Sequence, residues 1–219
     1  MPRLLFEKTG GAVWISHLDL MRLFQRAFKR AGLPLTHTQG FNPRPSVSIA
    51  LPLSVGVESR CELLDFDLDG EAVSCSQIMD RLNESLVEGV KVLSVYDTGT
   101  KLKNLSYLDT EVILEYDTGI PEGAGEAISG LFSREILVLE KKGKNGTVQQ
   151  DIIPMIRSAQ VQKRDENTLC ICARICCQNP TLNPAQLAAA VNVYLPEFAP
   201  DHSTCRRLEI YDTENKVFR

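Results

Sequence analysis

Residues 16–45 concentrate side chains that could bind an anion. Four basic residues recur there at helical spacing, and a cationic stripe of this kind can neutralise several phosphates. These residues are Arg22, Arg26, Lys29 and Arg30. The segment that follows adds an aromatic ring, an amide and a guanidinium in Phe41, Asn42 and Arg44. Stacking beside a phosphate-binding track is how proteins hold single-stranded nucleic acid. The alternative is that the stripe is only the solvated face of an amphipathic helix and that Phe41 packs into the core.

His17 and His37 flank the same segment and are the candidates for general acid–base catalysis, for example on an RNA 2′-hydroxyl. His17 falls at a predicted helix N-terminus, where the helix dipole disfavours the imidazolium form. The sequence places no third residue that would orient either ring. A structural or binding role is therefore favoured for both histidines, and catalysis by the pair is the alternative.

The seven cysteines are expected to be reduced thiols, because their number is odd and no signal peptide precedes them. Four of them crowd one predicted strand, namely Cys170, Cys172, Cys176 and Cys177. Alternation puts Cys170, Cys172 and Cys176 on one side of this strand, where they could form a thiolate cluster with Cys205 as the fourth ligand. However, an extended strand separates Cys172 from Cys176 by about 13 Å. The cysteines are therefore interpreted as small buried hydrophobic residues, and no metal site is predicted.

Local signals predict the helix that the basic stripe requires. Ser16, followed three residues later by Asp19, is a variant of the capping box, and Gly32 and Pro34 end the helix near Ala31. Residues 39–45 contain two prolines, so that this segment cannot be helical. We expect a stiff loop there, which lowers the entropic cost of binding a ligand.

The order of the predicted elements occurs twice along the chain. The first half has strands at 4–6, 46–51, 63–68 and 92–96, with helices beginning after Ser16 and Ser74. The second half has strands at 112–116, 136–139, 169–176 and 208–211, with helices opening at Pro121 and Asn183. We therefore expect an α+β protein of two tandem ferredoxin-like (βαββαβ) domains, at residues 1–98 and 108–219.

The composition of the 219-residue chain, with 43% hydrophobic and 24% charged residues, is that of a globular protein. No stretch approaches the ~20 apolar residues of a membrane span, so we expect a cytoplasmic protein without a membrane partner. The net charge of −4 is the sum of a basic segment and an acidic remainder. Residues 1–45 carry seven basic and two acidic residues, a net of +5, which leaves −9 for the remainder. An acidic chain can therefore still attract an anion locally.

Four segments in the first quarter of the chain resemble the bacterial radical-SAM-linked protein family. They are WISHLDLMR at 14–22, RAFKRAGLP at 26–34, QGFNPRP at 39–45 and LPLSVGVES at 51–59. The resemblance implies a partner, a radical SAM protein that carries an iron–sulfur cluster and S-adenosylmethionine. This chain lacks the C-x-x-x-C-x-x-C motif of such a protein, so it is expected to bind neither cofactor itself.

The tandem ferredoxin-like architecture with a histidine on the first helix also resembles the CRISPR repeat-processing endonucleases. Those proteins carry a glycine-rich loop before their last strand, whereas residues 196–207 contain no glycine. The sequence therefore predicts a non-catalytic accessory protein of a radical SAM enzyme that binds RNA or another anionic macromolecule. The alternatives are an RNA-processing endonuclease that uses His17 or His37, and a protein-interaction scaffold.

Overall fold

A computed structural model describes residues 1–70, 72–143 and 146–219 of the protein. Two compact units divide the chain. The first comprises Met1–Asn104 together with Val217–Arg219, and the second comprises Leu105–Lys216. The division falls inside the segment that the sequence left between its two domains. The last three residues belong to the first unit, although the sequence assigned them to the second domain.

The first unit has the element order βαββαβ. Its strands are β1 (Arg3–Lys8), β2 (Val47–Ile49), β3 (Val57–Phe66) and β4 (Val90–Tyr96), and its helices are α1 (His17–Arg30) and α2 (Cys75–Ser85). Neighbouring strands are antiparallel and follow the order β4-β1-β3-β2. This connectivity is the one expected of a ferredoxin-like unit.

Hydrogen bonds at both ends fix the limits of α1. The hydroxyl oxygen of Ser16 accepts a hydrogen bond from the Asp19 amide at 3.2 Å, as the sequence signal predicts. At the other end Gly32 adopts φ +66°, and the Leu33 amide donates to the Phe28 carbonyl at 3.0 Å. These are the features of a Schellman-type helix end, which requires a residue that tolerates a positive φ.

Aromatic packing determines which face of α1 is buried. Phe24 lies edge-on to Phe6 of β1, with ring centroids 4.7 Å apart, and Phe28 packs against Phe66 of β3 at 5.1 Å. Leu20 and Ala27 complete a face that is inaccessible to solvent. Because this face is apolar, the basic residues of the helix must point away from the core.

The second unit has a four-stranded antiparallel sheet in the order β10-β5-β9-β8. These strands are β5 (Leu105–Glu115), β8 (Ile156–Lys163), β9 (Thr168–Cys176) and β10 (His202–Asp212). The helices are α3 (Ala124–Leu131) and α4 (Ala185–Tyr194), and a separate pair is formed by β6 (Val138–Gly143) and β7 (Gly146–Asp151). The α+β class is thereby confirmed. None of the helices in the described part of the chain is long and apolar enough to cross a membrane.

One strand assignment from the sequence was wrong. Residues 136–139 were expected to form the second strand of the repeated unit, but Val138 and Leu139 belong to β6, which pairs with β7 outside the main sheet. The second position in the sheet is held by β8, which pairs with β9. Alternation of apolar residues identifies a strand without identifying its partner, since pairing depends on residues distant in sequence.

Candidate functional site

The four basic residues of α1 lie on its exposed face, opposite the aromatic core. Arg22, Arg26 and Arg30 are spaced at four-residue intervals, which corresponds to about 6 Å along the helix axis for each step. This spacing places the three guanidinium groups in a row along the exposed side of the helix, which we call the cationic ridge. Lys29 lies beside this ridge and lines a separate depression, which is described below as the loop cleft.

A first depression, which we name the arginine groove, has a volume of about 500 Å³. Its lining consists of Ile15, Asp19, Arg22, Leu23, Arg26, Arg30 and Val87. Arg30 donates a hydrogen bond to the Ser85 carbonyl at 2.5 Å, which holds this guanidinium beside the end of α2. The groove combines three guanidinium groups and one carboxylate with three apolar side chains, a composition that suits a ligand with both anionic and apolar parts.

A second depression, the loop cleft, has a volume of about 410 Å³ and lies at the C-terminal end of α1. Its lining consists of Gln25, Lys29, Gly32, Leu33, Pro34, Leu35, His37 and Pro45. Lys29 supplies its cationic side chain, while the prolines and leucines make most of the surface apolar. The cleft therefore brings Lys29 and His37, which the sequence predicted separately, into one site.

The loop at residues 39–45 is closed at its base by two hydrogen bonds between Thr38 and Arg44. The Thr38 amide donates to the Arg44 carbonyl at 2.9 Å, and the Arg44 amide donates to the Thr38 hydroxyl at 3.0 Å. His37 and Pro45 form an isolated antiparallel bridge at the same point. Because His37 and Pro45 also line the loop cleft, the loop is anchored directly at its edge.

Phe41 is fully exposed at the tip of this loop, with a relative accessibility of 111%. Asn42 and Arg44 are exposed beside it. The alternative in which Phe41 packs into the core is therefore wrong. An aromatic ring held in water by a stiffened loop is available to stack on a planar ligand.

The basic residues differ in how far they are already neutralised. Arg22 forms an ion pair with Asp19 at 2.9 Å, in which both side chains are more than half exposed. The hydrogen bonds from Ser16 and Arg22 lower the pKa of Asp19, so that this carboxylate stays ionised. The side chains of Arg26, Lys29 and Arg44 make no hydrogen bond within residues 1–70, 72–143 and 146–219. These three cations are available to an incoming anion.

The structure separates the two histidines. His17 is the first residue of α1, whereas His37 lines the loop cleft beyond its last residue. A helix of 14 residues is about 20 Å long, so the two rings lie at opposite ends of it. Among the described residues, the Nδ1 atom of His17 is buried and has no hydrogen-bond partner. This geometry does not bring the two histidines together as an acid–base pair.

The cysteines are free thiols, and five of the seven are buried. The cluster considered from the sequence, in which Cys205 joins the thiols of β9, does not form. Cys205 pairs in register with Val112, a core residue, whereas Cys170 and Cys172 alternate with the core residues Leu169 and Ile171. Cys205 therefore lies on the opposite face of the sheet from Cys170 and Cys172.

The apolar residues that line the arginine groove were not predicted from the sequence. Ile15 precedes α1, Leu23 lies within it, and Val87 follows α2. Leu23 is offset from the buried stripe of the helix, and that offset is the signal that could have identified it as a groove residue. Val87 carries no comparable local signal, because only tertiary packing brings it to α1.

Residues 2–184 match the family described as "Uncharacterized protein conserved in bacteria (DUF2344)". No curated protein matches this sequence. A chain from "Crystal Structure of a Cbf5-Nop10-Gar1 Complex" is similar in fold, with a TM-score of 0.52 and 7% identity over 95% of this chain and 48% of that chain. The protein thus spans about half of that chain, and at this identity the likeness shows the fold alone. The match to "Crystal Structure of an Unknown Protein from Galdieria sulphuraria" covers 94% of this chain and 95% of that chain at 11% identity. Its TM-score of 0.27 is too low to indicate a shared fold.

Proposed function

We propose that this chain, which belongs to the bacterial family DUF2344, binds single-stranded RNA through its first unit and has no catalytic activity of its own. The observation that carries the proposal is the full exposure of Phe41 on a loop anchored at the edge of a lysine-containing cleft. Burying the ring in the core would have released more hydrophobic surface from water. A ring kept in water beside cations is suited to stack on a base.

Charge and spacing support a polymeric anion rather than a single small one. The cations extend from Arg22 along α1 to Lys29 and then to Arg44 on the loop. A small anion would use one or two of these groups, whereas a strand of several nucleotides can engage all of them. Each phosphate that is neutralised releases counterions, which makes this binding favourable and dependent on salt.

The grooves also favour a nucleic acid over a folded acidic protein. The apolar surfaces of the arginine groove and the loop cleft lie within a few residues of the cations that line them. Nucleotides combine a charged backbone with planar, weakly polar bases on the same scale. The separation of the two histidines gives no support to cleavage, so the proposed role is binding.

The test is the binding of a fluorescent, mixed-sequence, single-stranded RNA by the purified chain at about 50 mM salt, measured by anisotropy. Wild type should bind, and the double variant Arg22→Glu with Arg26→Glu should not, because it reverses two charges in the arginine groove. Lys91→Glu with Lys101→Glu makes the same change at exposed positions elsewhere in the first unit and should bind as wild type. Absence of RNA binding by wild type, or equal loss in both double variants, refutes the proposal.

We further propose that the RNA is presented to a radical SAM protein, as the family resemblance of residues 14–59 suggests. In that arrangement the iron–sulfur cluster and S-adenosylmethionine belong to the partner, and this chain contributes only substrate binding. Co-expression with a radical SAM protein from the same genome should give a complex that survives nuclease treatment. A complex that forms normally with Arg22→Glu, Arg26→Glu protein would show that the partner uses a surface other than the arginine groove. Failure of the two proteins to co-purify refutes this part of the proposal.

A further inference from the structure

Three potential metal ligands meet on one face of the second unit's sheet. Cys170 and Cys172 are two residues apart on β9, so that alternation places both thiols on the same face. The register between β5 and β9 sets Glu111 directly opposite Cys172. Among the described residues, the ligand atoms of these three side chains lie within 4.8 Å of one another.

The distance between the two sulfur atoms matches that of a metal-bound pair. The Sγ atoms of Cys170 and Cys172 are 3.7 Å apart. Two Zn–S bonds of about 2.3 Å at a tetrahedral angle place their sulfur atoms about 3.8 Å apart. The thiols therefore need no large movement to bind one ion between them, and a carboxylate oxygen completes a set of three protein ligands.

Two arginines hold Glu111 from different sides. Arg164 donates to its Oε1 atom at 2.5 Å and also approaches the Cys170 sulfur at 3.8 Å. Arg206 lies 3.5 Å from the other oxygen, Oε2. The Arg164 side chain is 48% exposed, so it can move into solvent and free Oε1 and the Cys170 sulfur together. Arg206 can meanwhile remain on Oε2 and orient the carboxylate, as groups behind a ligand commonly do.

We propose that Glu111, Cys170 and Cys172 form a binding site for a thiophilic divalent cation such as Zn²⁺, with Arg164 occupying the place of the ion when no metal is bound. Two thiolates with one carboxylate suit zinc in preference to the oxygen-seeking Mg²⁺ or Ca²⁺. Three protein ligands leave a fourth position for water or another molecule. None of these residues lines the arginine groove or the loop cleft, so the two proposals are tested separately.

The experiment is a titration of the full-length, reduced protein with Co²⁺, followed through the thiolate-to-cobalt charge-transfer band. Wild type should bind one equivalent, and one equivalent of Zn²⁺ should abolish the band by displacement. Cys172→Ser and Glu111→Gln should lose the band, whereas Cys75→Ser, which removes a partly exposed thiol of the first unit, should retain it. Arg164→Gln should bind more tightly, because the competing guanidinium is gone.

Circular dichroism of each variant shows whether the fold is kept. Cys172 and Glu111 are only partly buried, so their variants test the site without the cavity that a change at the fully buried Cys170 would leave. Failure of wild type to bind Co²⁺ or Zn²⁺ overturns the proposal. So does a charge-transfer band of equal strength in Cys172→Ser, since the ion would then be bound elsewhere.

Discussion

Replacing Arg26 and Lys29 by glutamine tests how many side chains of α1 contact phosphate. Both side chains are exposed and make no hydrogen bond within the described residues, so their replacement should change stability by no more than about 0.5 kcal/mol. The same change removes one cation from the arginine groove and one from the loop cleft. The expected effect is therefore on RNA affinity and on its dependence on salt, with the fold unchanged.

The magnitude follows from the number of cations along the surface. The wild-type surface offers five basic side chains, which are Arg22, Arg26, Lys29, Arg30 and Arg44, provided that Arg22 and Arg30 exchange Asp19 and the Ser85 carbonyl for phosphate. Each phosphate contact with a single strand contributes about −0.7 to the slope of log K against log salt, so five contacts predict a slope of about −3.5. Three contacts predict about −2.1. Between about 50 and 200 mM salt, wild type should lose about 100-fold in affinity and the double variant about 20-fold.

Fluorescence anisotropy with the same RNA at several salt concentrations measures both slopes. Lys91→Gln with Lys101→Gln provides the control, since it removes equal charge from exposed positions of the first unit outside both depressions. The reasoning is refuted if the double variant binds more weakly than wild type but with the same slope. Such a result would mean that Arg26 and Lys29 act through the shape of the site rather than through phosphate contacts.

Two further predictions concern single side chains. Phe41→Ala removes a fully exposed ring, so Tm should not change. RNA affinity should fall about 5- to 150-fold, which corresponds to the loss of one base stack. Unchanged RNA affinity would exclude stacking on Phe41. Burial raises the pKa of Cys205 from 9.0 to about 11, so its protonated form stabilises the fold below pH 9 and this contribution is lost as pH rises towards 11. Urea titrations between about pH 8 and 10.5 should show the free energy of unfolding falling about 2 kcal/mol more for wild type than for Cys205→Ala. Equal falls in the free energy of unfolding for the two proteins would contradict this.

The parts of the fold that the sequence predicts well are those determined by short-range hydrogen bonds. The Ser16 hydroxyl accepts from the Asp19 amide as expected, and Ser74 forms a full capping box with Gln77. The Asn183 side chain likewise accepts from the Ala185 amide at the start of α4. Each signal concerns atoms three residues apart or fewer, so tertiary structure has little opportunity to override it.

Strand pairing was harder to predict, because its determinants are distant in sequence. Residues 136–139 are uniformly apolar and β8 is mostly polar, yet it is β8 that pairs with β9, so apolar character alone does not say which segment joins the sheet. The metal ligands show the same limitation. Cys170 and Cys172 stand out in the sequence, but Glu111 lies on another strand and becomes their neighbour only through the register of β5 with β9.

The candidate RNA-binding surface falls between these extremes. Helical spacing predicts the exposed basic face of α1, because the buried aromatic residues leave it no other orientation. The exposure of Phe41 does not follow from sequence, since a phenylalanine between polar residues is compatible with burial. The distance between His17 and His37 does not follow either, because it depends on the path of the chain after α1.

The net charge of −4 is compatible with RNA binding because salt limits the distance over which charges act. At physiological ionic strength the Debye length is about 8 Å, little more than one step between Arg22 and Arg26. A phosphate in the arginine groove is therefore influenced mainly by the cations beside it and little by the acidic remainder of the chain. At about 0.01 M salt the screening length grows to about 30 Å, and repulsion from that remainder then opposes binding. RNA affinity measured near physiological salt therefore reports the charge of the binding surface and not the net charge of the chain.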